Sequence, residues 1–269
     1  MNKKIAVGYL INGKENKIKN IINNFAASYI KHPSGLDHQL YLIIKNLSSI
    51  EIKEIIEPVF INCKYKIIQV SKSGFDIGAY YQFAGQVNEE NIFPINTNTL
   101  FRTHDWLKKI YDNFTPSTGI LGSSGSFEQI KVANEYQDYF ESFPNPHIRT
   151  NGFMIKRVLF MKIVESYLLS LKKKNFKTKI DTYRFESGKN GLTRYLLKHK
   201  YAIKIIGANG RAYSIKNWPL SDTFRCNNQA NMILSDRQSK YFEDQIYHHR
   251  KFFSTMTWGK YVNKQASFE

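Results

Sequence analysis

The sequence is short of cysteine and has no long apolar run. Its two cysteines, Cys63 and Cys226, do not have the spacing of a metal-ligand motif. A disulfide between the two cysteines is one interpretation, and reduced thiols in the cytoplasm are the simpler one. No stretch approaches the roughly 20 apolar residues that span a bilayer, and the apolar run before Asn12 is too short for a signal peptide. We therefore expect a cytoplasmic protein, with the inner face of the cell membrane as a second location.

Several motifs that mark common enzyme classes are also missing. The sequence contains no P-loop, GxGxxG, HExxH, CxxC or GxSxG pattern. These absences disfavour an NTPase, a Rossmann dehydrogenase, a zinc protease, a zinc ribbon and a serine hydrolase. An enzyme of another class stays compatible with the sequence.

Positive charge, in contrast, is abundant. The 269 residues carry a formal net charge of +17, with 42% hydrophobic and 23% charged residues. This composition is typical of a chain with a packed core rather than of a disordered one. The charge would attract a polyanion such as nucleic acid, an anionic membrane or a phosphorylated substrate. A solvated basic surface explains it equally well.

The apolar spacing predicts alternating strands and helices. Early strands are predicted at residues 5–10, 40–44, 65–70 and 92–95, and intervening helices at 18–29, 52–56 and from about 78. Later elements are predicted as helices at 104–114, 158–171 and 188–199 and strands at 120–121, 148–155 and 201–206. The alternation indicates an α/β fold, with a mostly parallel sheet flanked by helices and ligand groups at its carboxyl edge. We expect residues 1–220 to form this domain and 221–269 to add a helical extension.

A glycine-rich segment follows the third predicted strand. In the run from Ser73 to Tyr81, Gly74 and Gly78 permit a tight turn and a close approach of the backbone to a ligand. Asp76 could accept hydrogen bonds from ribose or sugar hydroxyls at the sheet edge. The alternative is that Asp76 only caps the following helix.

A polar run follows the fourth predicted strand. Asn96 and Asn98 would project to the same side if the strand stayed extended there. Such side chains at the end of an apolar strand are placed to contact a ligand. The alternative is an ordinary Asn/Thr turn.

Taken in order, these segments resemble bacterial glycosyltransferases of the GT-A fold, of the polysaccharide and rhamnan-synthesis type. The resemblance covers roughly residues 5 to 220. It rests on five segments in a common order, which are the first strand, Gly74-Phe75-Asp76-Ile77-Gly78-Ala79-Tyr80, Asn96-Thr97-Asn98-Thr99-Leu100-Phe101 with the helix of Trp106, Pro146-His147-Ile148, and Phe185-Glu186-Ser187-Gly188 with Arg194.

The resemblance implies transfer of a sugar from a nucleoside diphosphate sugar to a hydroxyl of a cell-surface polysaccharide or lipopolysaccharide, including a lipid-linked glycan. It assigns the general base to Glu186 first and Asp181 second. The leaving diphosphate needs a metal or basic groups to stabilise its charge, and Arg194, His147 and Arg211 are the candidate basic groups. The implied nucleotide-sugar site comprises Gly8, Tyr9, Asn12, Gly74, Asp76, Tyr80, Asn96, Asn98 and His147.

One departure from the family concerns the metal. Metal-dependent GT-A enzymes hold Mn²⁺ or Mg²⁺ with an Asp-x-Asp motif, and carboxylates suit such cations. Here the matching positions are Asn96 and Asn98, of which Asn98 is the candidate metal contact. Three alternatives follow. The site holds the metal weakly, Asp105 contributes a further acid to the metal site, or basic side chains neutralise the diphosphate.

Two rival functions remain at this stage. Seventeen tyrosines and 19 phenylalanines in a basic chain suit a nucleic-acid-binding protein, although no helix-turn-helix, RNP or zinc motif supports one, and we predict no specific nucleic-acid partner. The neutral Asn98 also suits a non-catalytic relative that binds nucleotide sugars. The basic and aromatic C-terminal region could bind an anionic membrane or a second copy of the chain.

Overall fold

The computed structural model describes residues 4–130 and 133–264, and an eight-stranded sheet forms its centre. The strands lie in the order β11-β10-β6-β9-β4-β1-β2-β3. They are β1 (Ile5–Asn12), β2 (Gln39–Lys45), β3 (Tyr65–Gln69), β4 (Asn91–Ile95), β6 (Thr118–Gly122), β9 (Phe153–Lys156), β10 (Ala202–Ile206) and β11 (Ala212–Ser214). Two small ribbons pair β5 (Leu100–Phe101) with β12 (Leu234–Ser235), and β7 (Gly125–Ser126) with β8 (His147–Ile148).

The sheet is mainly parallel. β1 pairs in parallel with both β2 and β4, and β6 pairs in parallel with β10. Only β9 and β11 run in the opposite direction within this sheet. The apolar residues of β1 alternate between the two faces, so that Leu10 packs in one core cluster and Tyr9 in the other. The predicted fold class, a mostly parallel sheet flanked by helices, is confirmed.

Helices cover both faces. One face packs against α3 and α6, which bury Phe83 and Phe160, and the other packs against α1 and α4, which bury Phe25 and Trp106. The α-helices are α1 (Ile18–Lys31), α2 (Ser49–Glu51), α3 (Phe75–Gln86), α4 (Trp106–Tyr111), α5 (Asn134–Gln137), α6 (Arg157–Ser170), α7 (Lys179–Ser187), α8 (Leu192–Lys198), α9 (Arg237–Glu243) and α10 (Tyr247–Trp258). A π-helical turn continues α2 over Ile52–Ile56, and 3-10 turns cover Ile215–Leu220 and Gly259–Lys264.

Three predicted elements differ from the structure. The single strand predicted at 148–155 is wrong, because β8 and β9 are separate strands joined by a turn in which Gly152 has a φ of 68°. Helix α7 was not predicted, although Thr178 and Asp181 form its capping box. The next helix begins at Leu192 rather than near Gly188, and α3 begins at Phe75 rather than near Gly78.

Residues beyond 220 pack on the sheet domain and include more than helices. The strand β12 pairs with β5, and α9 and α10 follow it. Trp258 at the end of α10 is fully buried and its ring lies 5.2 Å from that of Phe127. This segment therefore shares the hydrophobic core of the sheet domain.

Both cysteines are free thiols. Cys63 is half-buried and Cys226 is buried. Among the residues that the structure describes, no helix has the length and apolar character needed to cross a bilayer.

Candidate active site

A cleft of about 670 Å³ opens at the carboxyl edge of the sheet. The last residue of β1, Asn12, and the residue after β4, Asn96, line it at the strand ends, which we call the sheet wall. The first turn of α3 and the helix α7 also line the cleft. The loop after β8 and the side chains of Phe224, Arg225 and Gln238 line it as well, and we call these the loop wall. Parallel strands bring their carboxyl ends together, which is why residues distant in sequence meet here.

Five of the predicted site residues line this cleft, and a sixth lies beside it. The five are Asn12, Asp76, Asn96, His147 and Glu186. A smaller recess shares Asn12, Asp76 and Asn96 with the cleft and adds Asn98. Each motif after the first strand therefore contributes at least one residue to the cleft or to the adjoining recess, and the first strand contributes Asn12.

Other residues predicted for the nucleotide site support it from behind. A β-carbon on Gly8 would lie 2.7 Å from Phe83, so this glycine allows helix α3 to pack closely on β1. Tyr9 is buried and its hydroxyl donates to the Thr97 carbonyl (2.9 Å), which holds the turn after β4. Gly74, with a φ of 86°, is the residue before α3.

Tyr80 is buried behind two carboxylates of the cleft. Its hydroxyl has no hydrogen-bond partner in the described part of the chain. Burial raises the pKa of Tyr80, and the nearby charges of Asp76 and Glu186 raise it further. Tyr80 is therefore a core residue close to these two acids and does not line the cleft.

Asp181 and Arg194 do not line the cleft. Asp181 is buried, caps α7 and forms an ion pair with Lys173 (2.6 Å), so it stabilises the helix that carries Glu186. Arg194 donates to the side chain of Asn145 (3.1 Å), whose carbonyl contacts His147. Arg194 therefore lies one residue away from His147, whereas Asp181 acts on the site only through the helix α7.

Arg211 and Asp105 are also placed outside the cleft. Arg211 follows Gly210 in the turn between β10 and β11, and Asp105 precedes α4 with a φ of 55°. Neither is a lining residue of any of the three recesses at this edge of the sheet.

Asp76 lies in the first turn of α3 and not at its cap. Its carboxylate is open to the solvent of the cleft. Enclosure by the cleft walls raises its pKa, and the Lys45 ammonium opposes this shift. Lys45 is buried and donates to the Phe75 carbonyl (2.8 Å), so a positive charge stays close to Asp76.

The Asn96 turn is ordered by side-chain hydrogen bonds. The amide oxygen of Asn96 accepts from the Asn98 N–H (3.1 Å) and from the Thr99 hydroxyl (3.0 Å). The Asn151 amide oxygen accepts from the Asn96 N–H (2.9 Å). Because its oxygen is occupied, Asn96 presents its amide N–H groups as donors to a ligand.

This donor set does not suit a divalent cation. Mg²⁺ and Mn²⁺ prefer carboxylate oxygens, whereas both motif positions are amides and Asn96 uses its oxygen within the turn. No group of three or more His, Cys, Asp or Glu side chains in residues 4–130 and 133–264 has the arrangement of a metal site.

Glu186 is positioned by the loop after β8. One carboxylate oxygen accepts from the Thr150 N–H (2.8 Å) and from the Thr150 hydroxyl. The side chain is half-buried in the last turn of α7. Sequence reasoning placed Glu186 before a helix, and the structure places it at the end of one.

His147 presents a neutral imidazole. Its Nδ1 donates to the Asn145 carbonyl (2.8 Å), so Nε2 carries the lone pair. Burial lowers the pKa of His147, although the Glu186 charge opposes this. At neutral pH the ring can therefore accept a hydrogen bond in the cleft.

Two arginines of the cleft were missed by sequence reasoning. Arg149 forms an ion pair with buried Asp236 (2.8 Å) and lies over the Phe224 ring at 3.7 Å. Arg225 pairs with Glu128 (2.9 Å). Arg149 directly follows the Pro146-His147-Ile148 segment, which was the available signal, whereas Arg225 lies in a segment without a motif.

The cleft contains charges of both signs. Its cationic side chains are Arg149, Lys179 and Arg225, and its acidic ones are Glu15, Asp76, Glu128 and Glu186. Guanidinium and ammonium groups suit phosphate oxygens, whereas carboxylates accept hydrogen bonds from hydroxyls. A ligand with both a phosphate part and a hydroxyl-rich part matches this arrangement.

Comparison with known proteins finds no matching protein-family model and no matching curated protein. Solved structures with similar folds include mouse xyloside xylosyltransferase 1, with 9% identity over 77% of this chain and 85% of that chain and a TM-score of 0.48. Galactosyltransferase LgtC matches with 9% identity over 67% and 70% and a TM-score of 0.47. The 4-diphosphocytidyl-2C-methyl-D-erythritol synthase of Anaerococcus prevotii matches with 15% identity over 76% and 88% and a TM-score of 0.46. At these values the similarity does not identify a substrate.

Proposed function

We propose that the cleft binds a nucleoside diphosphate sugar and that the protein transfers the sugar to a hydroxyl of a glycan. The observation that carries the proposal is the convergence of Asp76, Asn96, His147 and Glu186 in one cleft. These residues come from four separate segments whose order resembles GT-A glycosyltransferases. A cell-surface polysaccharide or lipopolysaccharide is the acceptor class that this resemblance favours.

Hydroxyl groups of the donor are assigned to the acidic side of the cleft. Asn12 lies at the carboxyl end of β1 and Asp76 in the first turn of α3, and both line the cleft within reach of a ribose or a hexose. Asp76 faces the cleft as an acceptor, and Asn96 faces it as a donor. This pair can distinguish the hydroxyl pattern of one sugar from another.

The diphosphate is assigned to the basic side chains. Arg149 and Arg225 are held in place by Asp236 and Glu128, so their guanidinium groups are oriented before a ligand arrives. Orientation in advance lowers the cost of stabilising charge on the leaving group. Since the amide turn does not suit a cation, these arginines and Lys179 take the role that a metal has in many GT-A enzymes.

Glu186 is the proposed general base. A base must reach the acceptor hydroxyl with a geometry that favours proton removal. The contact with Thr150 occupies one carboxylate oxygen of Glu186 and leaves the other for the acceptor. Proton transfer to that oxygen would accompany attack of the acceptor oxygen on the anomeric carbon and departure of the nucleoside diphosphate.

The test is a panel of UDP-, GDP-, dTDP- and CMP-linked sugars, followed by thermal shift and calorimetry. A ligand that binds only the folded state raises the melting temperature. We expect one class to stabilise the wild type and to stabilise Asp76→Asn less. Asp112→Asn, an exposed helix residue outside the cleft, is the control and should respond like the wild type.

The rival functions are outcomes of the same experiment. Binding of a nucleotide sugar without turnover on any glycan would identify a non-catalytic relative. Absence of binding to the whole panel, together with salt-sensitive binding of RNA or DNA, would overturn the transferase proposal.

A further inference from the structure

Four large apolar side chains are exposed together on α9, α10 and their connection. The exposed fractions are 54% for Tyr241, 66% for Ile246, 65% for Tyr247 and 60% for Phe252. Most large apolar residues of the chain are buried, so four such residues within twelve positions form a distinct surface. We call these four side chains the C-terminal patch.

Ring contacts connect most of the patch. Tyr241 and Phe252 each lie 5.7 Å from Phe253 between ring centroids. Tyr247 lies 5.7 Å from His248, and His248 precedes Phe252 by one helical turn. The aromatic rings therefore form one nearly continuous surface across two helices.

The exposed charges around the patch are mostly positive. Between residues 237 and 260 the exposed side chains include one acid, Asp244, and four cations, Arg237, Lys240, Lys251 and Lys260. Arg237 is paired with Glu15 (2.7 Å), which leaves three lysines against one acid. The second acid of the segment, Glu243, is half-buried and is paired with Arg102. Aromatic side chains beside lysines are typical of surfaces that lie at the interface of an anionic bilayer.

The patch is also continuous with the cleft. Phe253 contacts Phe252 on one side and lies under the Arg225 guanidinium (5.1 Å) on the other. One turn after Phe252, Met256 lines the cleft. A surface that rested on the patch would therefore lie close to the cleft opening.

We propose that the C-terminal patch binds the surface of an anionic phospholipid membrane, with the aromatic rings at the level of the headgroups and the lysines on the lipid phosphates. A membrane bound at the patch would lie beside the cleft opening. The cleft would then receive acceptors that are attached to lipid, and this consequence rests on the proposed function. The membrane contact itself does not depend on sugar transfer.

The experiment is flotation of the full chain with vesicles of phosphatidylcholine alone or mixed with phosphatidylglycerol, at low and at high salt. We expect binding to the mixed vesicles, weak binding to the neutral ones, and loss of binding at high salt. Tyr247→Ser with Phe252→Ser should lower the partition coefficient about tenfold or more, because two interfacial aromatic side chains are removed.

Matched variants separate the patch from general apolar and charge effects. Ile61→Ser with Leu169→Ser changes two side chains that are 78% exposed elsewhere, and should bind vesicles like the wild type. Lys240→Glu with Lys251→Glu should lose binding to mixed vesicles, while Lys53→Glu with Lys162→Glu should lose much less.

Three results would overturn the membrane proposal. They are equal binding of the patch variant and the wild type, self-association of the wild type that the patch variant abolishes without any vesicle binding, and preference for RNA or DNA over vesicles. Nucleotide-sugar binding, measured in parallel on the same variants, tests the transferase proposal separately. The patch variant should keep it, so failure of one proposal is distinguishable from failure of the other.

Discussion

The two walls of the cleft hold their side chains by different means. Asn12 and Asn96 stand at strand ends, where parallel pairing of β1 with β4 fixes their backbone. Arg149 and Arg225 stand on loops and are fixed by ion pairs with Asp236 and Glu128. The sheet wall therefore depends on backbone pairing, whereas the loop wall depends on pairs of side chains. Substitutions should affect the two walls differently.

The largest effect is expected at Glu186, which lines the cleft from the last turn of α7. Glu186→Gln keeps the contact with Thr150 through its amide oxygen but cannot accept a proton, so turnover should fall about 10²–10⁴-fold with little change in nucleotide-sugar affinity. Steady-state rates and calorimetry measure the two quantities. Glu165→Gln, which changes an acid that accepts from Tyr81 on the surface, is the control. Unchanged turnover in Glu186→Gln would exclude Glu186 as the base.

The second prediction concerns stability of the loop wall. Asp236→Ala leaves the half-buried Arg149 guanidinium without its buried carboxylate partner and removes the cap of α9. We expect a loss of about 3 kcal/mol in the free energy of unfolding, the usual cost of breaking a buried pair. Asp112→Ala, which breaks an exposed pair with Lys108, should cost less than about 1 kcal/mol. Urea unfolding measures both, and equal losses would show that the loop wall is not held by this pair.

The same pair predicts a pH dependence. Burial tends to raise the pKa of Asp236, but the Arg149 charge and hydrogen bonds outweigh this, so the pKa is lowered. The unfolded chain then binds the proton more tightly. The contribution of Asp236 is present above its unfolded pKa of about 3.9 and is lost as the pH falls through the folded value. The difference between wild type and Asp236→Ala should therefore be constant near neutral pH and shrink only in acid.

The third prediction concerns affinity. Arg225→Gln removes a guanidinium that the proposal assigns to the diphosphate, and should weaken nucleotide-sugar binding about tenfold in EDTA. Arg102→Gln breaks an ion pair with Glu243 outside the cleft and should leave this affinity unchanged. If both variants bind like the wild type, the diphosphate lies elsewhere.

The smallest effect is expected on the sheet wall. Asn98→Asp adds one negative charge beside the recess and should weaken nucleotide-sugar binding only a few-fold, since the site is open to water. Calorimetry with EDTA and with Mn²⁺ measures this. A large gain in affinity of the wild type with Mn²⁺ would show that the amide turn binds a metal, contrary to the role assigned to the arginines.

The residues of the sheet wall were predicted from local sequence patterns. Apolar runs such as residues 40–44 locate buried strands, and the residues after them must lie at one edge when the strands are parallel. Asn12, Asp76 and Asn96 were accessible in this way. Helix α7 was missed because its apolar pattern is weak, although the capping box of Thr178 and Asp181 marked its start.

The residues of the loop wall could not be predicted from local sequence patterns. The Arg225–Glu128 contact joins residues 97 positions apart, and the Asn151–Asp236 contact joins residues 85 apart. No periodicity or local motif encodes such pairs, because they form only when separate loops pack on the same edge. Arg149 and Arg225 were therefore hidden among 39 lysines and arginines.

The chain alone specified an α/β sheet with polar groups at its carboxyl edge, since strand periodicity and turn chemistry are local properties. Which of those groups face a common cleft was decided by tertiary packing. Tyr9 and Tyr80 are buried in the core, and Asp181 caps a helix. The C-terminal segment contributes Arg225 to the cleft and carries the exposed patch beside it. Burial and long-range ion pairing depend on the whole fold, so only the three-dimensional structure determines them.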